Sequence, residues 1–441
     1  MKITFMGAGS TAFLKNVLGD TMLCPSLQNA EFALYDIDAQ RLKDSQLVIE
    51  AMNHSFNADR AKVVSYLGVE NRKDALRGAD FVICAIQVGG YEPCTVIDFE
   101  IPKKYGLRQT IGDTLGIGGI FRALRTIPVL RDFAMDMEEV CPDAWLLNYT
   151  NPMAMLTGYL QRHTGIKMVG LCHSVQVCAT SLLHKVGMDE YMDNHIAQIA
   201  GINHMAWLLK LTDKQGNDLY EEVRRRAKEK SATMKHKDMV RFDYIDKFGY
   251  FCTESSEHNA EYNPFYIKPG REDLIEKFNI PLDEYPRRCV NQISAWVERR
   301  EKLLSGEGLE HERSKEYASR IMEAMVTNVP YTIGGNVINN GLISNLPKEA
   351  CVEVPCLVDA NGITPCYVGE LPLQLAAMNS SNIYPQLLTI EAAYTGKRET
   401  VYQAAMMDPH TGAELSTDEI VALCDELIAA HTAAGFPLPI K

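Results

Sequence analysis

The 441-residue sequence has no run of about 18 apolar residues, the length that a membrane-crossing helix requires, so none is expected. It has no excess of basic charge either. Its 44 Lys and Arg face 57 Asp and Glu, for a net charge of −13, and a nucleic-acid partner, which needs a basic face, is set aside. No secretory leader is expected either. The apolar stretch in MKITFMGAGS runs straight into a glycine turn, with no longer apolar core and no small-residue cleavage site. Twelve cysteines are present but no two form a CxxC pair. Scattered thiols in a large chain are usually kept reduced, so a cytosolic location is expected, with most of them acting as small buried apolar groups. There is no internal repeat and no low-complexity tail.

Against these absences stand 46% hydrophobic and 23% charged residues, an ordinary globular balance, and a length sufficient for two domains. Strands are predicted at 2–6, 31–35, 62–66 and 81–86, separated by helical spacing over 11–22 and 38–58 and a turn or short helix at 73–78. FVICAI at 81–86 is continuously apolar, as in a strand buried on both faces. Further strands at 144–148 and 167–171 flank a helix that starts near Pro152. This alternation predicts an α/β chain whose N-terminal half is a Rossmann-type, doubly wound parallel sheet extending to about residue 175. Residues 176–441 read as a second, mixed α+β domain. It has strands near 195–200, 205–211, 351–358 and 363–368, a charged helix and loop at 222–238, and helices at 313–327, 370–378, 383–395 and 416–431. Ala360-Asn361-Gly362 reads as a hairpin turn.

Gly7-Ala8-Gly9-Ser10-Thr11-Ala12 fits G-x-G-x-x-G/A between the first strand and first helix. There the first glycine permits the tight turn, the second lets backbone approach a pyrophosphate, and the helix N-terminus offers free N–H groups to its charge. Asp36 ends the next strand, where an acid accepts from the ribose hydroxyls and disfavours a 2′-phosphate. NAD is therefore expected, on Gly7, Gly9, Ser10 and Asp36. Four other polar stretches stand out. They are Ile111–Gly119 around Asp113, followed by Arg122 and Arg125; Asn148-Tyr149-Thr150-Asn151-Pro152; Cys172-His173-Ser174-Val175; and Gly201-Ile202-Asn203-His204. Asn148 and Asn151 would sit at the carboxyl end of a strand, where ligands bind, or would serve as turn and cap. Cys172 and His204 are competent metal ligands, but 32 residues apart their spacing proves nothing, and a buried thiol and a hydrogen-bonded histidine are the plainer reading of the residues alone.

Taken together and in order, these stretches resemble glycoside hydrolase family 4, and the resemblance continues through GGNVINNGLISNLP and VEVP over essentially the whole chain. It implies a lactate/malate-dehydrogenase-like fold, NAD on the GAGS turn, a divalent metal, usually Mn²⁺, on Cys172 and His204, and a sugar contact from Asn148. Members acting on 6-phosphosugars carry Asp or Asn after the cysteine. His173 in that place resembles the α-galactosidase type, which implies a non-phosphorylated α-galactoside substrate. The implied mechanism is NAD-dependent oxidation at C3, metal-assisted elimination after loss of the C2 proton, water addition and re-reduction, a recognised exception to the two-carboxylate scheme.

The resemblance implies an acid at the residue after the metal cysteine, which is His173 here, and a base from a second-domain tyrosine. The stretch from Tyr250 to Tyr266 is the candidate region for it, with Tyr262 and His258 preferred over Tyr250, Glu257 and Glu261. Asp113, Arg122 and Arg288 are further polar candidates, Asp113 for the sugar. The alternatives are the same mechanism on an α-glucoside or α-galacturonide, or a 2-hydroxy-acid dehydrogenase, which would leave Cys172 and His204 without a role. A homodimer or homotetramer is implied by the resemblance alone.

Overall fold

The computed structural model describes residues 1–305 and 309–441. Six parallel strands open the chain: β1 (Lys2–Met6), β2 (Glu31–Asp36), β3 (Lys62–Leu67), β4 (Phe81–Cys84), β5 (Trp145–Asn148) and β6 (Lys167–Gly170). They stand in the order 3-2-1-4-5-6, so the doubly wound sheet expected from the alternating pattern is present. β1, β2, β4, β5 and β6 are mostly buried, as parallel strands covered by helical crossovers must be, and all four residues of β4 are buried, whereas β3, at the sheet edge, is only half-buried. The crossover helices include Thr11–Met22, Ala39–Asn57, Gly116–Val140 and Met153–His163. Ala39–Asn57 is started by Asp38, whose carboxylate accepts from the backbone N–H of Gln40 and Arg41.

The sheet does not stop at β6. β7 (His195–Ile202), β8 (Met205–Asp213), β9 (Phe251–Cys252), β10 (Tyr331–Ile338), β11 (Cys351–Asp359) and β12 (Gly362–Pro365) extend it antiparallel, in the order β6-β10-β11-β7-β8-β9, with β12 on β11. β10 therefore bridges the two halves, although residues 331–338 carry no strand expectation from the sequence. The regions expected as helices at 370–378 and 383–395 form one helix, Leu373–Thr395, running through Pro385. The helix expected at 313–327 begins only at Ala318. A further helix, Glu284–Leu304, lies where none was expected. It docks on Ala39–Asn57 through Arg300, whose Nε and Nη2 donate to Asp44 at 2.5 and 2.8 Å.

No helix among the described residues is long and apolar enough to cross a membrane.

Candidate active site

The glycine turn after β1 is held by backbone bonds from Gly7 and Ala8 N–H to the Tyr35 carbonyl, 3.0 and 2.9 Å. Gly7 has φ +92°, and a Cβ there would lie 2.4 Å from the Ala85 carbonyl oxygen, so only glycine fits. The Gly9 N–H donates to Asp36 Oδ2 at 2.6 Å, and Asp36 Oδ1 accepts from Asp38 N–H at 2.9 Å. Asp36 is thus fixed beside the turn at the end of β2. Ser10, exposed, precedes the helix Thr11–Met22 and makes no side-chain cap bond. A bare turn, an open helix N-terminus and an adjacent acid are the parts that a dinucleotide's pyrophosphate and ribose require, so these residues fit NAD.

Asn148 ends β5 and is fully buried, with its side chain turned inward. Its Oδ1 accepts from Thr150 N–H at 3.1 Å and its Nδ2 donates to the Thr150 carbonyl at 3.2 Å. Its carbonyl accepts from Leu171 N–H at 2.8 Å, next to Cys172. Asn151 keeps a buried Oδ1 without a protein partner.

Cys172 follows β6 and precedes the helix His173–Lys185, where a helix N-terminus favours an anionic sulfur. The Tyr317 hydroxyl accepts from Cys172 N–H at 2.9 Å and donates to its carbonyl at 3.1 Å, which fixes the backbone. His204 occupies the two-residue turn between β7 and β8 with φ +63°. Glu254, just past β9, has φ +64°. Left-handed backbone at a non-glycine residue costs about 1–3 kcal/mol and is held only where the surroundings demand it.

The Cys172 Sγ, a His204 ring nitrogen and a Glu254 carboxylate oxygen all lie within 4.8 Å of one another. His204 Nε2 is 3.5 Å from Glu254 Oε2, and its Nδ1 meets the Tyr262 hydroxyl at 3.2 Å. Burial pulls the His204 imidazole down to about 4, leaving it in the neutral, ligating form. Burial works against the Glu254 carboxylate, yet the histidines around it, His258 foremost, hold it at about 2, ionised. The Cys172 thiol is pushed well up by burial and by Glu353 and Glu254, so it needs a cation to ionise. One sulfur, one nitrogen and one oxygen donor, buried and convergent, fit a borderline divalent metal. Glu254 was not singled out from the sequence, although it lies in the stretch from Tyr250 to Tyr266; nothing in its immediate sequence marks the turn that aims it.

The remaining candidates gather around this cluster unevenly. His173 is exposed and acts electrostatically on Glu254, His204 and Glu316. His258 stands 3.6 Å from Glu254 Oε1 through Nδ1 and 3.8 Å from Asp113 Oδ1 through Nε2, and its ring packs edge-on to His204. Tyr262 is buried, and burial, with Asp113, Glu261, Glu254 and Cys172, holds its phenol well above its ordinary value. Arg122 donates to the Tyr285 hydroxyl at 3.3 Å, and Arg288 pairs with Glu284 and Glu257.

Glu261 does other work. Its carboxylate accepts from the backbone N–H groups of Thr110 (2.8 Å), Ile111 (3.2 Å) and Gly112 (2.7 Å), fastening the loop that carries Asp113. Glu261→Ala leaves these buried donors unpaired and is expected to cost about 3 kcal/mol of stability. Urea unfolding checks it; an unchanged midpoint would contradict the assignment.

The parallel strands bring Gly7, Asn148 and Cys172 to the same carboxyl edge of one sheet, at the ends of β1, β5 and β6. The model "Family 4 glycosyl hydrolase" matches residues 2–188, and "Family 4 glycosyl hydrolase C-terminal domain" matches residues 199–411. The chain is 63% identical to an alpha-galactosidase of Bacillus subtilis (strain 168), over 98% of each. Among solved structures it resembles a 6-phospho-alpha-glucosidase from gut microorganisms, in complex with NAD and Mn²⁺, with TM-score 0.82 and 20% identity over 100% of this chain and 99% of that one. A lactate dehydrogenase from Cryptosporidium parvum shares the fold at TM-score 0.55 and 13% identity, covering 89% and 98%. The chain therefore belongs to family 4 of the glycosyl hydrolases.

Proposed function

We propose that this protein hydrolyses α-galactosides with the help of NAD and a divalent metal, Mn²⁺ by preference. The observation that carries this reading is the convergence of Cys172, His204 and Glu254 at the edge of the sheet that also carries the nucleotide-type turn. The galactoside assignment is supported by the 63% identity to a relative described as an alpha-galactosidase and by His173 where phosphosugar members carry Asp or Asn. When bound, NAD⁺ would accept and return a hydride at the sugar C3, and the metal would polarise the C2 and C3 oxygens as a Lewis acid.

The chain's own residues divide the rest. Gly7, Gly9 and Ser10 receive the pyrophosphate, and Asp36 accepts from the ribose hydroxyls. Cys172, His204 and Glu254 hold the metal. Asp113, Asn148 and Asn151 meet sugar hydroxyls. Asn151 has a free buried oxygen for this, whereas Asn148 must first leave Thr150. His173, exposed at the rim, protonates the departing oxygen. Tyr262 is placed to take the C2 proton, and a bound cation beside it would offset the anionic neighbours that keep the phenol protonated. His258, between Asp113 and Glu254, is the second candidate for that proton. On this reading residues 1–175 bind NAD and residues 176–441 bind metal and substrate, with Cys172 at the joint.

Release of p-nitrophenol from p-nitrophenyl α-galactoside by chelator-treated protein tests the proposal. Turnover is expected only with NAD⁺, Mn²⁺ and reductant together, without net NADH. Full turnover with neither would overturn it, and turnover of the α-glucoside or galacturonide instead would replace the substrate.

A homodimer or homotetramer in the cytosol completes the reading. Val290, Ile293 and Val297 share one face of the helix Glu284–Leu304 at 48, 52 and 63% exposure, an apolar stripe suited to a second copy. All twelve cysteines are free, in keeping with a reducing compartment. Light scattering of the purified chain reads the assembly directly, and a monomer mass would remove this part.

A further inference from the structure

Four strands meet at the seam between the two halves of the sheet, and their register forms one straight row. Gly170 of β6 pairs with Asn336 of β10, Asn336 with Glu353 of β11, and Glu353 with Gly201 of β7. Asn336 and Glu353 are completely buried. Asn336 Nδ2 donates to Glu353 Oε1 at 3.0 Å and to the Gly170 carbonyl at 3.3 Å. The Asn203 amide lies beside the same carboxyl, in a geometry short of a well-formed hydrogen bond, and helps to hold its proton affinity down.

The glycines at the two ends of the row are required by packing. A Cβ on Gly170 would lie 2.9 Å from the Asn336 Cβ and 2.6 Å from Thr157 Oγ1. One on Gly201 would lie 2.8 Å from the Ala206 Cα and 3.0 Å from Asn379 Oδ1. The strands therefore close tightly around two polar side chains.

A carboxyl at the centre of a sheet is a poor stabiliser. Burial pushes Glu353 up to about 8, and an apolar side chain of similar size would fill the place at lower cost. Its position suggests another use. Cys172 lies two residues beyond Gly170, and His204 three beyond Gly201 and next to Asn203. The row thus ends just short of two donors that come from opposite halves of the molecule.

We propose that Glu353, through Asn336 and Asn203, is a positioning residue that sets the spacing between the Cys172 loop and the His204 turn. This rests on the reading of Cys172 and His204 as metal ligands. It gives a role to Asn336 in GGNV and to Glu353 in VEVP, two segments that no proposed catalytic step uses. Supporting groups behind metal ligands typically govern 10- to 100-fold in affinity.

The test is Mn²⁺ affinity of the full chain, read from the EPR signal of free Mn²⁺, with NAD⁺ binding by fluorescence as the control. Glu353→Ala is expected to weaken Mn²⁺ by about 10- to 100-fold while NAD⁺ binding stays within about twofold. Glu353→Gln, which keeps a polar link, is expected to recover most of that loss. Because the two residues act as one link, Asn336→Ala added to Glu353→Ala costs little more. Parent-like Mn²⁺ binding in Glu353→Ala would overturn the proposal, as would an equal loss of NAD⁺ binding or a glutamine variant no better than alanine. Should the alanine variant fail to fold, Glu353→Gln and Asn336→Ala decide, and parent-like Mn²⁺ affinity in both would sink it. A parent chain that binds no Mn²⁺, or Cys172→Ala binding it as the parent does, would bring down the metal reading itself and this proposal with it.

Discussion

Cys172→Ala is expected to lose Mn²⁺ binding and about 10³-fold or more in activity, since a Lewis-acid metal supplies several kcal/mol of transition-state stabilisation. The thiol is the one soft donor in the Cys172, His204 and Glu254 cluster, and without it two donors remain on separate loops. The fold should survive, because the Cys172 backbone is held by Tyr317 and not by the sulfur. The same substitution reads out in the pH dependence of metal capture. In the metal-free protein burial and two glutamates keep the thiol protonated across the neutral range. Mn²⁺ must displace that proton, so its apparent affinity should rise about tenfold per pH unit between pH 6 and 8. His204, lowered to about 4, and Glu254, at about 2, are already in their ligating forms there and add no slope. A flat profile in the parent, or tight Mn²⁺ binding by Cys172→Ala, would contradict the assignment.

Tyr262→Phe is expected to lower kcat by about 10²- to 10⁴-fold, the range for loss of a general base, with KM nearly unchanged. The phenol meets His204 Nδ1 at 3.2 Å, so it also orients a proposed ligand. The two roles separate in one experiment. If Tyr262 takes the C2 proton, Mn²⁺ affinity stays within about tenfold of the parent while turnover collapses. If it only orients His204, affinity and turnover fall together, and His258 becomes the group to replace next.

How far the sequence revealed these features depended on how local their signals are. β1 to β6 were readable because each holds a short run of β-forming residues, with helical spacing after β1 and β2 and a helix start at Pro152 after β5, and the turn at Gly7 and Gly9 because its chemistry lies within six residues. β10 was not readable. Gly334 and Gly335 suggest a loop, yet both are required by close packing: a Cβ on Gly334 would lie 2.6 Å from Val175 Cγ1, and one on Gly335 2.9 Å from Cys356 Sγ. The gap left between the helices expected at 370–378 and 383–395 is filled by Asn379 and Asn382, which lie within one helix. Asn379 donates to the Met205 carbonyl and Asn382 to that of Tyr262, so these polar residues tie the helix to the site. The helix Glu284–Leu304 was missed although Val290, Ile293 and Val297 recur along it at helical spacing.

At the site, Cys172 and His204 came from resemblance, because their meeting depends on sheet order. Glu254 was lost among several acids, and the left-handed turn that aims it carries no glycine to announce it. Glu261 stood among the candidate bases, but it holds the loop carrying Asp113 through three backbone donors, a role visible only when residues 110–112 are seen against it.

The central claim is that the glycosidic bond breaks by elimination after loss of the C2 proton, and one measurement addresses it most directly. Hydrolysis of an α-galactoside in D₂O, followed by NMR of the released galactose, should show deuterium at C2, because the proton removed there returns from solvent. Galactose carrying only hydrogen at C2 would contradict the account and point to direct displacement at C1 by a pair of carboxylates.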